Sequence, residues 1–125
     1  MDKTGRDIFK YMMRPNPNDN INNLCRKEQA TIFRLRTGHI QLNGHINRIQ
    51  PQHPPMCPLC DCAYETVNHH LFDCPALSDI RATLLPWRPD KYNTLYGTTK
   101  QLKNTCRYHF LALGRRAEAH RQLDP

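Results

Sequence analysis

Hydrophobic positions are most regular between residues 22 and 50. In LCRKEQATIFRLRT, a stretch without Gly or Pro, Leu24, Cys25, Ile32 and Leu35 fall near helical spacing. With Asn22 or Asn23 as cap and Gly38 where a C-terminal cap belongs, the pattern predicts a helix over 24–37. Residues 39–49 mix alternating and helical spacing of Ile40, Leu42, Ile46 and Ile49, and predict a second short helix after a turn, with Gly44 inside it. Upstream, residues 7–14 predict a short helix that Pro15 and the Asn/Pro-rich run after it terminate. Pro51, Pro54 and Pro55 exclude regular structure and mark a boundary. Beyond it, 65–75 predicts a short helix closed by Pro75, 76–85 predicts another, and Pro86 and Pro89 bracket Trp87 in a turn. A last helix spans 101–121, with Gly114 as its weak point.

Composition changes what this helical chain needs. Only 38% of its 125 residues are hydrophobic and its longest apolar run, Phe110 to Leu113, has four residues, so no membrane span is predicted. A short polar chain requires a staple, from metal or disulfide, or a partner. Its net charge of +7 divides into +5 over residues 1–50, −1 over 51–100 and +3 over 101–125, which makes the flanks basic. Lys27, Arg34 and Arg36 in the first long helix, and Arg115 and Arg116 with Arg121 in the last, are candidate phosphate contacts to RNA or DNA. The ordinary alternative is a solvated helix face and a fraying terminus. The opening MDKTGRDIFKYMMRP lacks the apolar core of a secretory signal and predicts a nuclear or cytoplasmic setting, where thiols stay reduced.

Reduced, clustered cysteines point to metal. Cys57, Cys60, His69 and Cys74 form C-x2-C-x8-H-x4-C, in which one tight turn and one short helix each present two ligands. Zn2+ is the expected ion, because no oxygen-rich shell for calcium or magnesium is present. Spacing leaves two alternatives open: His70 is four residues before Cys74 on the same helical face, and Cys62 is able to replace Cys60. Four protein ligands leave no open position, which predicts a structural site. His39, His45 and His53 are irregularly spaced and read as surface histidines. Cys25 and Cys106 read as buried free thiols. Tyr92, Tyr96, Tyr108, Phe110 and Trp87 are read as core residues in preference to base-stacking platforms. No Ser-His-Asp order, glycine-rich phosphate loop or HExxH occurs. The expected architecture is a mainly α, small zinc-stapled domain. It comprises a basic helical segment (1–50), a zinc-binding loop-helix unit (51–85) and a basic helical segment (86–125), all in one compact unit.

Four pieces in order, FRLRTGH at 33–39, LNGHINRI at 42–49, CPLC at 57–60 and ETVNHHLFDCP at 65–75, resemble the C-terminal zinc-binding tail of non-LTR, LINE-type, Jockey-like retrotransposon reverse transcriptases. The resemblance covers roughly residues 5–85. It implies that Cys57, Cys60, His69 and Cys74 are the ligands, His69 being the histidine separated by two residues from Glu65-Thr66, with Cys62 an addition to the pattern. It also implies a tail piece of a larger polyprotein, with its reverse transcriptase and ribonuclease H domains as neighbours. No paired aspartates of a polymerase are present, so the expectation is a chain that is not an enzyme by itself.

Overall fold

The computed structural model describes residues 17–86 and 90–123, for residues 120–123 the backbone only. The predicted helix at 7–14 and the turn around Trp87 lie outside the described residues. Among the described residues five α-helices follow in order: α1 (Arg26–Thr37), α2 (Asn43–Ile49), α3 (Ser78–Leu84), α4 (Lys91–Tyr96) and α5 (Thr99–Leu123). Short 3₁₀ turns at Asn20–Asn23 and Pro75–Leu77 and a π turn at His69–Asp73 complete the regular structure. No strand occurs among the described residues, only an isolated antiparallel bridge between Met56 and Tyr64. The protein is mainly helical, as its pattern predicts.

Boundaries differ from the predicted ones for local reasons. Cys25, not Asn22 or Asn23, caps α1: the Glu28 carboxylate accepts the Cys25 N–H at 3.1 Å, while Asp19 caps the 3₁₀ turn holding the two asparagines. Gly38 ends α1 at φ +78°, in the left-handed conformation that glycine adopts without steric cost, and donates its N–H to Arg34 O. The pattern did not predict α4, whose cap is Asp90, accepting the Tyr92 N–H at 2.9 Å. Gly114 leaves α5 unbroken, and nothing lies within 4 Å of where its Cβ would stand.

The main core joins residues from all parts of the chain: Leu35, Ile40 and Leu42 from the first, Leu71, Leu77 and Leu85 from the middle, and Leu95, Tyr108 and Ala112 from the last. A second cluster, Leu24, Ile32, Leu102 and Cys106, seals α1 against α5. Two expectations are corrected here. Cys25, in the extended cap of α1, is exposed, whereas Cys106 is buried as expected. Of the four described aromatics assigned to the core only Tyr108 lies in it. Tyr92, Tyr96 and Phe110 are 66%, 45% and 36% exposed. Burial on α5 follows one stripe through Leu102, Thr105, Cys106, His109 and Ala112, and Phe110 falls off it. Tyr92 and Tyr96, one turn apart on the outer face of α4, stack on each other at 6.0 Å instead.

Glu65 ties these layers together. Its carboxylate, 1% exposed, accepts the Asn43 N–H at the start of α2 (2.7 Å) and both Nε (2.6 Å) and Nη2 (2.8 Å) of Arg116 on α5. Its backbone carbonyl accepts the Gly44 N–H at 2.9 Å. That approach explains Gly44, since a Cβ there would stand 2.7 Å from Glu65 O, a backbone atom unable to yield. We predict that Gly44→Ala lowers unfolding stability by about 1–3 kcal/mol, read as a lower urea midpoint with an unchanged slope. An unchanged midpoint would show that this backbone contact is dispensable.

Candidate metal centre

Two local structures bring the four ligands together. Residues 57–63 close as a loop in which Cys57 N–H donates to Ala63 O (2.8 Å) and Asp61 N–H donates back to Cys57 O (2.9 Å). Asp61 adopts φ +56°, a left-handed conformation that aspartate tolerates better than most side chains, and so turns the chain after Cys60. The second pair comes from residues 66–74. The Thr66 hydroxyl accepts the His69 N–H at 3.1 Å, and the turn then widens, with Cys74 N–H donating to the carbonyl five residues back, His69 O, at 2.8 Å. This wide register decides between the two histidines. In an α-helix the residue four before Cys74, His70, shares its face; in the π turn the residue five before it does.

The ligand atoms of Cys57, Cys60, His69 and Cys74 all lie within 4.8 Å of one another. A tetrahedral ion with metal–sulfur bonds of about 2.3 Å sets two sulfurs about 3.8 Å apart. Cys57 Sγ and Cys74 Sγ are 3.8 Å apart, and Cys60 Sγ is 3.3 Å from His69 Nε2. The set therefore fits a tetrahedral metal ion closed by four protein ligands, which supplies a cross-link and leaves no position for a reacting water. Burial pushes the Cys74 thiol up to about 12 and raises Cys57 as well. Slight burial of Cys60 is outweighed by hydrogen bonds from Cys62 and its other neighbours, and its thiol is lowered. Thiolates at the two buried positions thus require a cation beside them, and metal uptake releases their protons.

His70 is occupied elsewhere. Its Nε2 is 2.9 Å from His109 Nδ1, its ring packs edge-on against Tyr108, and its carbonyl accepts the Tyr108 hydroxyl. Burial, with the charges of His109 and Arg116, lowers His70 to about 3, and burial with Arg116 lowers His109 to about 4. Both rings are neutral at pH 7 and share one N–H···N bond. Cys62 is exposed, 3.3 Å from Cys60 Sγ, and stands outside the tetrad.

Sequence reasoning missed the residues that hold the ligand turn. Arg81 of α3 donates Nε to Leu71 O (3.0 Å) and Nη2 to Cys74 O (2.7 Å), satisfying carbonyls at the end of the turn, and reaches Tyr108 Oη at 3.2 Å. Its only sequence signal is that it is one of few bases in the middle segment. The candidate phosphate contacts divide in two. Lys27 and Arg34 are exposed, Lys27 with its ammonium 4.8 Å from the Phe110 ring centroid. Arg36 pairs with Asp19 (2.8 Å), donates to Leu95 O (2.7 Å) and stacks on Tyr96. Arg116 pairs with Glu65, and Arg115 with Asp79 and Ala76 O. The side chain of Arg121 lies outside the described residues. His39 and His45 contact each other, His53 hydrogen-bonds Asn43, and none joins a second metal cluster among the described residues.

The protein prepared with zinc present is expected to carry one ion per chain, and a chelator to remove it with loss of far-ultraviolet helix signal; metal content near zero refutes the site. His69→Ala is expected to weaken metal binding by at least tenfold, whereas His70→Ala keeps the ion and lowers stability by about 1–3 kcal/mol. Titration with a competing chromogenic chelator separates the two, and the reverse order shows that the ligand is misplaced.

The chain matches no curated protein and no solved structure. Residues 7–80 match the family model described as zinc-binding in reverse transcriptase, a span that contains the whole tetrad, both loops and Arg81's neighbour Ile80 at its edge. With more than half of its length inside that match and a closed Cys/His tetrad in the fold, the chain belongs to the family of zinc-binding domains of reverse transcriptases.

Proposed function

We propose that this domain is the zinc-binding tail module of a non-LTR, LINE-type, Jockey-like retrotransposon reverse transcriptase polyprotein. In this reading it helps hold the element's RNA or target DNA beside the polymerase during reverse transcription, in the nucleus or cytoplasm. Zinc is the ion, its role is to fix the fold, and the chain has no catalytic step of its own. Among the described residues no helix is long and apolar enough to cross a membrane. The carrying observation is electrostatic. α1 and α5 pack together and expose Arg26, Lys27, Arg34, Lys100, Lys103 and Arg107, while Glu28 is the one acid within residues 26–37 and 99–116. Such a surface attracts phosphodiester chains without reading their sequence.

A second reading, a module that packs on the polymerase or ribonuclease H domain, is supported by Phe110, Leu111 and Leu113, exposed by 36%, 47% and 36% on α5. Filter binding of RNA and DNA at rising salt separates the two. Four phosphate contacts to a single strand give a slope of log affinity against log salt of about −3. Binding no better than to a neutral polymer at low salt refutes the nucleic-acid reading.

A further inference from the structure

The packed helices leave a cleft of about 530 Å³ between the end of α1, α2, the start of α4 and the loop at 64–68. That volume lies within the about 300–1,000 Å³ of sites for small organic groups. Leu35, Ile40 and Leu42 give it an apolar floor, and Tyr64, Arg48 and Lys91 line it from the periphery. Tyr64 is 60% exposed, and among the described residues no other ring stacks on it. Arg48 and Lys91 are exposed and have no carboxylate partner among the described residues. The other charges in the wall cancel: Arg36 is paired with Asp19 and Glu65 with Arg116. The cleft therefore carries the field of two cations above an apolar floor, with one open aromatic face.

We propose that this cleft binds an unpaired nucleotide of a single-stranded nucleic acid, its base lying against Tyr64 and its flanking phosphates on Arg48 and Lys91. The inference rests on the nucleic-acid reading above and adds to it a site and a strand state. An aromatic face binds any base flat, and cations lining the same groove hold the backbone. A base enters a cleft only when it is out of a duplex, so the site discriminates single from double strands. The α1 and α5 cations, in contrast, attract either form.

The test uses the full metal-loaded chain with 12-nucleotide oligo(U), oligo(dT) and a DNA duplex, read by fluorescence anisotropy. Tyr64→Ala is expected to weaken binding of the single strands about tenfold and leave the duplex unchanged, while Tyr64→Phe stays near the parent. Arg48→Ala with Lys91→Ala is expected to make the single-strand salt slope shallower by about 1.4. Photocrosslinking of an oligomer carrying 5-iodouracil to the unsubstituted protein is expected to mark Tyr64, which removes any dependence on variant folding. Single-strand binding that is unaltered in both sets of variants, or a crosslink confined to α1 and α5, overturns the cleft and leaves the general nucleic-acid reading standing. Failure of the parent protein to bind any of the three overturns both.

Discussion

The buried carboxylate of Glu65 is the point at which three separate parts of this chain meet. It closes the first turn of α2, neutralises Arg116 near the far end of α5, and through its backbone fixes the loop that leads into the ligand turn. A charge at 1% exposure is tolerable only when paired and hydrogen-bonded, and here three donors reach it. Breaking such a pair by removing one partner costs about 3–5 kcal/mol, because the other charge stays buried and unpaired. In a domain of this size that is a large part of the total. Glu65 also stands four residues before His69, so the constraint bears directly on where the ligand turn begins.

The ligand tetrad is supported from both sides by groups that stand outside it. Arg81 binds the carbonyl of Cys74, Thr66 receives the His69 amide, and Tyr108 holds the carbonyl of His70. Cys57 and Cys74 belong at once to the tetrad and to the main core. The ligand site and the apolar core are thus a single unit, in which an ion bridging the two loops would also clamp the layer of Leu35, Leu71 and Leu77. A bond network centred on a bound metal would in this way offset a composition too polar to build a large core.

The described basic residues fall into two physically different groups. Arg36, Arg81 and Arg116 each use several donors of a planar guanidinium on carboxylates or carbonyls inside the fold, work for which the forked geometry of arginine suits them. Arg26, Lys27, Arg34, Lys100, Lys103 and Arg107 stand exposed on two adjacent helices. Net charge alone counts both groups as one basic surface. Among the described residues, the second group, with Arg48 and Lys91, is exposed and has no carboxylate partner.

Helical periodicity, the left-handed cap at Gly38 and the C-x2-C-x8-H-x4-C spacing were all legible in the residues, because each depends on neighbours within a few positions. α1, α2 and the mainly helical class follow from them. Family resemblance selected His69 over His70, but spacing could not, since the choice depends on whether the turn before Cys74 winds as an α or a π register. That register is settled by contacts from afar: His109 and Tyr108 draw His70 into the core, and Arg81 takes the carbonyls at the end of the turn. The same reason applies to the arginines and aromatics. Whether a guanidinium meets a carboxylate or water, and whether a tyrosine is covered, depends on elements up to 59 residues away, as for Arg36 and Leu95. Local spacing determined the helices other than α4 and the ligand types; tertiary packing decided which histidine, which charges and which rings were left for other work, because burial is a property of the assembled chain.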